Sequence, residues 1–568
     1  MSQSSCGGKM SLVARAARSS WLALIVGGSV VGCVADASGP AEPPPTIHVA
    51  EPPPDPATPD PIPTHPIRDG LGHPIDFSSG RVVSAPRDDG STPAPSNAVL
   101  DVPIGDWNYK VNGPVDGGVA VWSTSGFGKG LRKCNDMLFV PVDVASGANV
   151  VAFDNLFKTD SSGTACVEST PVSPTGTCTP SPKPDKHCPH LSWSASLTGA
   201  LKRDSISISL DGTKLYAATT KGKFYALNSA PTLPTGTTRI AWTFDAAADT
   251  GAADATFEGV APWVDYFTGK LYVAVSYASD TKMRVYKLTD GTSATKVWAT
   301  DINAGTRSTP ILYNGFLYIG GLDGKVYKLN DSTGAQVTTK WPVQLKSASG
   351  AALSGTIPIP DVASQILSSP TIDGGIDTMF VTLGNVTWSI HLGGANDAAT
   401  DYVEMGWQTA TEAAANNVLH YSSPFIFIDK TTRVLFTAHG KDQTDGQTNR
   451  LHRRLYNADG TFVKTGLTSA VVRGSFSAMS DPKSSPIVFR PTSTDPIYAF
   501  VGDSLGYLNR FVYDESTQSY GTSSTFPTSS PSTVGAIESP VIVDIVGGNL
   551  YFGANDSRVY QIGQASLQ

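Results

Sequence analysis

F-L-Y-I-G-G-L-D-G-K-V-Y-K-L-N, Phe316 to Asn330, reads as two strands around a tight turn. The flanking runs are rich in aromatic and branched residues, and Leu322-Asp323-Gly324 carries the turn chemistry that favours antiparallel pairing. A single hairpin is marginal in water at best, so the phrase matters because it recurs. Copies lie at Leu215–Leu227, at Leu271–Val275 with Arg284–Leu288, and at Met379–Leu383 with Trp388–Leu392. Others follow at Val434–Ala438 with Leu451–Leu455, at Ile497–Phe511 and at Leu550–Ile562, and a divergent first copy pairs Met137–Val142 with Val150–Asp154. Eight units result, each needing its neighbours to bury its apolar faces.

Two markers keep the same phase. A small residue followed by Pro precedes most hairpins (Ala261-Pro262, Thr309-Pro310, Ser369-Pro370, Ser423-Pro424, Ser485-Pro486, Ser539-Pro540), which places a strand start there because Pro cannot donate to a sheet ladder. Upstream of that step stand Trp107, Trp193, Trp242, Trp298, Trp341 and Trp407, each in a short strand-like run that is expected to open the next unit. Four strands per unit, repeated this often, close most naturally into a ring of blades. The expected fold is all-β, a single β-propeller of four-stranded blades, eight rather than seven. The last unit stops near Ile562 without a Trp strand, and D-W-N-Y-K-V-N, Asp106 to Asn112, is expected to supply it and close the ring.

The Ser-Pro step, the L-Y-V-G-type strand, the Asp-Gly turn, the V-Y-K-L strand and Thr333-Gly334 resemble the repeat of quinoprotein-dehydrogenase-like propellers, over most of the chain after about residue 100. That family includes quinone-dependent dehydrogenases and also non-enzymatic lipoproteins, among them the propeller subunit of the outer-membrane β-barrel assembly machinery. The resemblance implies the fold and leaves activity to be argued from the site.

The N-terminus carries an export signal. Lys9, Arg15 and Arg18 precede the apolar run Trp21 to Gly32, too short for a comfortable membrane span. It ends in V-V-G-C, Val30 to Cys33, which resembles a bacterial lipobox with Val30 where Leu is commonest; a start at Met10 gives a more typical signal and discards Cys6. Cys33 is the expected lipidation site, and Val34 after it, in place of Asp, points by analogy to outer-membrane sorting. From Val34 to Pro66 the chain is dominated by Pro and reads as an extended tether. The expected organisation is a signal peptide at 1–32, the anchor and tether at 33–98, and the propeller at 99–568 with a Cys-containing insertion at about 156–192, between the first two blades.

Of six cysteines, Cys134, Cys166, Cys178 and Cys188 belong to the mature propeller, and an even number in an exported chain suggests disulfides with three possible pairings. A metal site from Cys178, Cys188, His187 and His190 is the sharper alternative, against which the spacing fits no common zinc pattern. Net charge of −8 among 568 residues offers no basic footprint for nucleic acid.

Quinone-dependent dehydrogenases of the resembling family typically use adjacent cysteines and a Ca²⁺ site. The sequence has no adjacent cysteines and no C-x-x-C-H for covalent haem. K-D-Q-T-D-G falls short of a calcium loop, and no phosphate loop, nucleophile elbow or H-E-x-x-H occurs. His420, His439 and His452, with Asp442, Asp445 and Arg450, suggest a pocket on one rim, weighed against a plain solvated loop. The six in-phase tryptophans are expected to pack between blades, whereas Trp263 and Trp388 break phase and are the better candidates for exposed contacts. No catalytic residue, cofactor or metal is assigned. The leading expectation is a lipid-anchored, non-enzymatic propeller that binds a protein or surface polymer in the cell envelope. Its alternatives are an enzyme with non-covalent PQQ and Ca²⁺, and a subunit of an outer-membrane assembly factor.

Overall fold

The computed structural model describes residues 107–563, apart from 123–132, 161, 168–177, 181–187, 203–205, 253–257, 346–365, 367, 384–385, 405–421, 430–431, 440–449, 464–467, 472–483, 491–495, 515–518, 521–523, 527–533 and 545–548. Cys33, the tether, Trp407 and His420 lie outside the described residues, as do Asp442 and Asp445. Among the described residues the strands fall into eight antiparallel sheets, each of four strands or four with an added fifth. They are the blades of an eight-bladed β-propeller, numbered I to VIII along the chain.

Blade IV contains the quoted phrase. From the axis outward it runs Ile311–Tyr313, Phe316–Gly320, Lys325–Asn330 and Val343–Gln344. Leu317 faces Leu329 and Tyr318 faces Lys328 across the hairpin. Gly324 takes φ +75°, open to glycine, while the Asp323 carboxylate accepts from Lys325 N (3.2 Å) and from the Tyr327 hydroxyl (2.7 Å). Leu317, Tyr318, Ile319, Val326 and Leu329 are all buried, so both faces of the hairpin are covered by neighbouring blades.

The inner strands stand side by side around the axis. Ala120–Trp122 of blade I neighbours Ile206–Ile208 of blade II, which neighbours Trp263–Asp265 of blade III; Ile542–Asp544 of blade VIII returns to Ala120–Trp122. The ring closes in blade VIII, where Arg558–Gly563, paired on one side with Asn549–Ala554, pairs on the other with Trp107–Lys110 from the other end of the chain. Trp107 faces Gln561 and Tyr109 faces Val559. The run from Asp106 to Asn112 thus supplies the missing strand, as its sequence predicts.

The Trp strands differ from expectation. Each completes the preceding blade as its outer strand instead of opening the next: Trp193 pairs with Ala152, Trp242 with Ala226 and Trp298 with Lys287. The V-Y-x-L strand leaves an open edge, and the chain that follows it is the nearest segment able to fill that edge. In consequence the Cys-containing insertion lies within blade I, between Val150–Asp154 and His190–Ala195, not between the first two blades. Trp263 and Trp388 are also corrected: only 8% and 5% exposed, the first sits on an inner strand and the second has its ring 5.0 Å from Tyr402.

Between the second and third strands of blade VII the turn at Gly506 takes φ +82°, and a Cβ there would lie 2.0 Å from the Val534 carbonyl oxygen. Gly506→Ala is expected to cost about 2–4 kcal/mol, from the left-handed backbone and a clash with main chain that cannot swing away. Urea unfolding of the two proteins measures it.

Candidate functional site

Because each blade is an antiparallel meander, its connections leave by two ends. Turns from first to second strand and from third to fourth share one end. Turns from second to third strand share the other with the links from blade to blade.

At the first end, polar side chains converge repeatedly on one carboxylate of the following blade. Asp290, just past the third strand of blade III, accepts from three groups of blade II: Lys214 Nζ (2.8 Å), the Tyr216 hydroxyl (2.8 Å) and Trp242 Nε1 (2.7 Å). Asp331 of blade IV does the same for blade III, its carboxylate taking the Tyr272 hydroxyl and Lys287 Nζ (2.7 Å) and its main-chain oxygen taking Trp298 Nε1 (2.7 Å). Asp397 of blade V accepts from Lys328 Nζ (3.1 Å) and Trp341 Nε1 (3.1 Å), and Trp193 donates to the Ser229 carbonyl of blade II (2.9 Å). Burial first, and then the Asp290 carboxylate, push the Tyr216 phenol far above its ordinary value, so it stays a donor. The same causes act on Tyr272, where burial leads and Asp331 follows.

These partners explain the in-phase tryptophans. Each ring packs near an aromatic of its own blade, Tyr216–Trp242 at 6.1 Å, Tyr272–Trp298 at 6.3 Å and Tyr318–Trp341 at 5.5 Å, and offers its N–H to the next blade. The position of Lys287 and Lys328 is held by Arg453 in blade VI and Arg510 in blade VII, facing Phe436 and Phe500. Both arginines are buried, with Arg453 stacked 4.2 Å above Tyr513 of the next blade and Arg510 5.1 Å above Tyr498. A cation at this register was not anticipated from sequence. Its recurrence opposite an aromatic is the signal that would have found it.

At the other end, the small-residue-Pro steps form a belt around the axis. Thr309 N donates to Ser369 Oγ (3.1 Å), Ser369 N to Ser423 Oγ (2.9 Å) and Ser423 N to Ser485 Oγ (2.9 Å), stepping from blade IV to blade VII. The preceding serines bond inside their own blades, Ser368 Oγ with Thr382 N (3.1 Å) and Ser484 Oγ with Gly502 N (2.7 Å). One hydroxyl of each pair thus satisfies a donor of its own sheet, the other a donor of the adjacent sheet.

Of the three rim histidines, His420 and the side chain of His439 lie outside the described residues. His452 lies inside the third strand of blade VI, 3% exposed, with Arg454 Nη2 3.0 Å from its Nδ1. His439 ends the second strand, its backbone opposite Arg450. Cys134 and Cys166 form a disulfide, and Cys188 is also disulfide-bonded, which removes it as a metal ligand. His190 Nδ1 meets Asp154 Oδ1 at 2.8 Å instead. Among the described residues no three His, Cys, Asp or Glu side chains converge as a metal would require. Asp290, Asp331 and Asp397 are engaged by lysines and tryptophans, and Asp373 by Arg433 (3.0 Å) and the Tyr456 hydroxyl (2.9 Å).

Where blade II meets blade III, Arg284 bridges Asp301 (2.6 and 2.7 Å) and Asp249 (3.3 Å) of the short helix α1, Ala246–Thr250. Arg284 holds the Asp301 carboxyl below its ordinary value of 3.8 against the opposing effect of burial. A lowered folded value means the pairing contributes fully above pH 3.8 and is lost as pH falls through the folded value. Acid titration of thermal stability is expected to show this loss, and Asp301→Asn to flatten it below pH 4 while lowering stability only slightly at neutral pH, since the Asp301 carboxylate is half-exposed.

In blades IV to VIII the consecutive strands farthest apart in sequence end and begin at Gln344 and Thr371, Glu404 and Phe425, Val471 and Ile487, and Phe526 and Ile542, all at this end. Function on propellers and other repeats sits on such connections, held by the rigid sheets beneath. This end, in the sector of blades IV to VIII, is the candidate interaction face.

A family model described as outer membrane protein assembly factor BamB matches residues 232–433. Among solved structures, that of BamB from Moraxella catarrhalis is 16% identical, covering 65% of this chain and 87% of that one with a TM-score of 0.39. Sqt1 from Saccharomyces cerevisiae is 10% identical, covering 86% and 99% with a TM-score of 0.45, and the WD40 propeller domain of Doa1 is 11% identical, covering 63% and 93% with a TM-score of 0.34. No curated protein matches the chain.

Proposed function

We propose that this PQQ-type β-propeller, similar to the assembly factor BamB, is a non-catalytic binding scaffold of the cell envelope, held at the outer membrane through a lipid on Cys33 and engaging a protein partner. The observation that carries the reading is the asymmetry of blades IV to VIII. One end uses its carboxylates to join blade to blade, and the other sends out the long connections of blades IV to VIII. The signal-like N-terminus and Pro-rich tether support placement at a membrane surface, and the disulfides suit an oxidising compartment. A role in outer-membrane protein assembly is the finer form of this reading.

Site-specific photo-crosslinking in cells tests it. Leu505, 43% exposed in a turn at the candidate face, is expected to capture a discrete partner band, whereas Phe267, 65% exposed at the opposite end, is not. Cys33→Ser is expected to move the protein from the detergent phase to the aqueous phase in phase partition and to lose the captured band. Equal capture from both ends, or dye-linked dehydrogenase turnover on adding PQQ and Ca²⁺, would replace the scaffold reading.

A further inference from the structure

Where blade II meets III and III meets IV, the later blade offers a carboxylate three residues beyond its own cation register, Asp290 after Lys287 and Asp331 after Lys328. Lys214 reaches the first at 2.8 Å and Lys287 the second at 2.7 Å. Blade VII carries Tyr513 at that place, three residues after Arg510 and next to the last residue of the strand Leu508–Asp514. The cation of blade VI, Arg453, therefore meets a ring where its counterparts meet a charge, its guanidinium carbon 4.2 Å from the ring centroid. Arg453 is only 6% exposed, and its Nε is fully buried with no hydrogen-bond partner. Among the described residues no carboxylate pairs with it. Stacking on the aromatic face offsets part of the cost of burying the cation but does nothing for its N–H groups, which point outward in the guanidinium plane. A buried charge so placed is costly until a counter-charge meets it. A second buried guanidinium, Arg490 of blade VII, lies in the same joint 5.8 Å from the Phe427 ring of blade VI and adds to the positive field.

We propose that the joint of blades VI and VII is a binding site for a carboxylate brought from outside the chain, docked on Arg453 in the role that Asp331 plays for Lys287. The planar fork of the guanidinium gives a carboxylate two parallel donors, which a lysine at this register could not do. The joint opens at the end of the ring opposite the candidate interaction face, so the inference does not depend on what that face binds. A small organic acid and the C-terminus of a peptide present the same group.

Saturation-transfer NMR on the folded full-length protein tests it, with acetate as the probe and acetamide as its uncharged counterpart. Acetate is expected to bind with a dissociation constant of about 1–10 mM, and acetamide at least about tenfold more weakly. Arg453→Met, which fills the slot without charge, is expected to abolish saturable acetate binding; Arg453→Lys, which keeps the charge and loses the fork, is expected to weaken it about tenfold. Acetyl-trialanine with a free C-terminus separates the two sources. Binding at least about tenfold tighter than acetate, and lost in its carboxamide, assigns the site to a peptide terminus, and a smaller difference assigns it to a free acid; either supports the site. Equal binding of acetate by wild type and Arg453→Met, or equal binding of acetate and acetamide, overturns the proposal. Where Arg453→Met fails to fold, undiminished acetate binding by Arg453→Lys overturns it instead.

Discussion

Trp107→Ala is expected to destabilise the propeller by about 3–5 kcal/mol, the usual cost of removing a fully buried large aromatic and leaving a cavity. Trp107 is 1% exposed, and its ring lies 6.2 Å from Tyr551 of its own blade and 6.3 Å from Phe153 of blade I. It therefore packs at the seam, where the two chain ends meet and blade VIII meets blade I. Its indole Nε1 makes no hydrogen bond among the described residues, so the ring's contribution is shape and apolar area. Trp107→Phe is then expected to retain most of the stability. Urea unfolding of the three proteins measures both effects, and a loss under 1 kcal/mol for the alanine variant would mean that the seam is held elsewhere.

Asp290→Ala should be nearly as costly, about 3 kcal/mol. Removing one partner of a buried ion pair typically costs 3–5 kcal/mol, discounted here because Lys214 and Asp290 keep about a fifth of their side-chain exposure (20% and 18%). Three donors of blade II lose their acceptor at once, although Lys214 keeps the Gly291 carbonyl at 3.0 Å. Asp290→Asn retains an acceptor oxygen but not the charge, and is expected to fall between. A double-mutant cycle with Trp242→Phe reads the coupling directly; additivity would show that the tryptophan and the carboxylate do not act as a unit.

Much of this architecture was legible because the hairpin repeats its turn residues and both its strands. The Leu322-Asp323-Gly324 turn, the steps at Pro370 and Pro424, and the unit ending at Ile562 without a Trp strand led to the eight-bladed ring and to the closing role of Trp107–Lys110. What a periodic sequence does not carry is the point at which a unit begins, because any cyclic shift has the same period. Reading by period alone for that reason places Trp193 and Trp298 one blade too late, and the insertion after Asp154 with them. The docking of blades was hidden differently. Asp290 and Asp331 follow strands in turns where an Asp ordinarily bonds its own backbone, and Lys287 or Arg453 in a strand ordinarily reaches water. Their pairing needs two blades, so it is invisible in either alone. The burial of His452 is hidden likewise, because L-H-R-R-L is a strand covered on both faces, which its polar composition conceals.

Asn108 and Arg558, bonded across the closing blade, are 450 residues apart in the chain. At about 5–20 residues per second of synthesis, the first of these waits roughly 20–90 s before the second exists. During that interval Trp107–Lys110 lacks its inner partner Arg558–Gly563, with only the three-residue strand Cys178–Pro180 to pair with, and the ring cannot complete its last sheet. Completion is thus an event of the finished polypeptide, and the nascent protein has to be kept from pairing its waiting segment with a stranger's exposed edge.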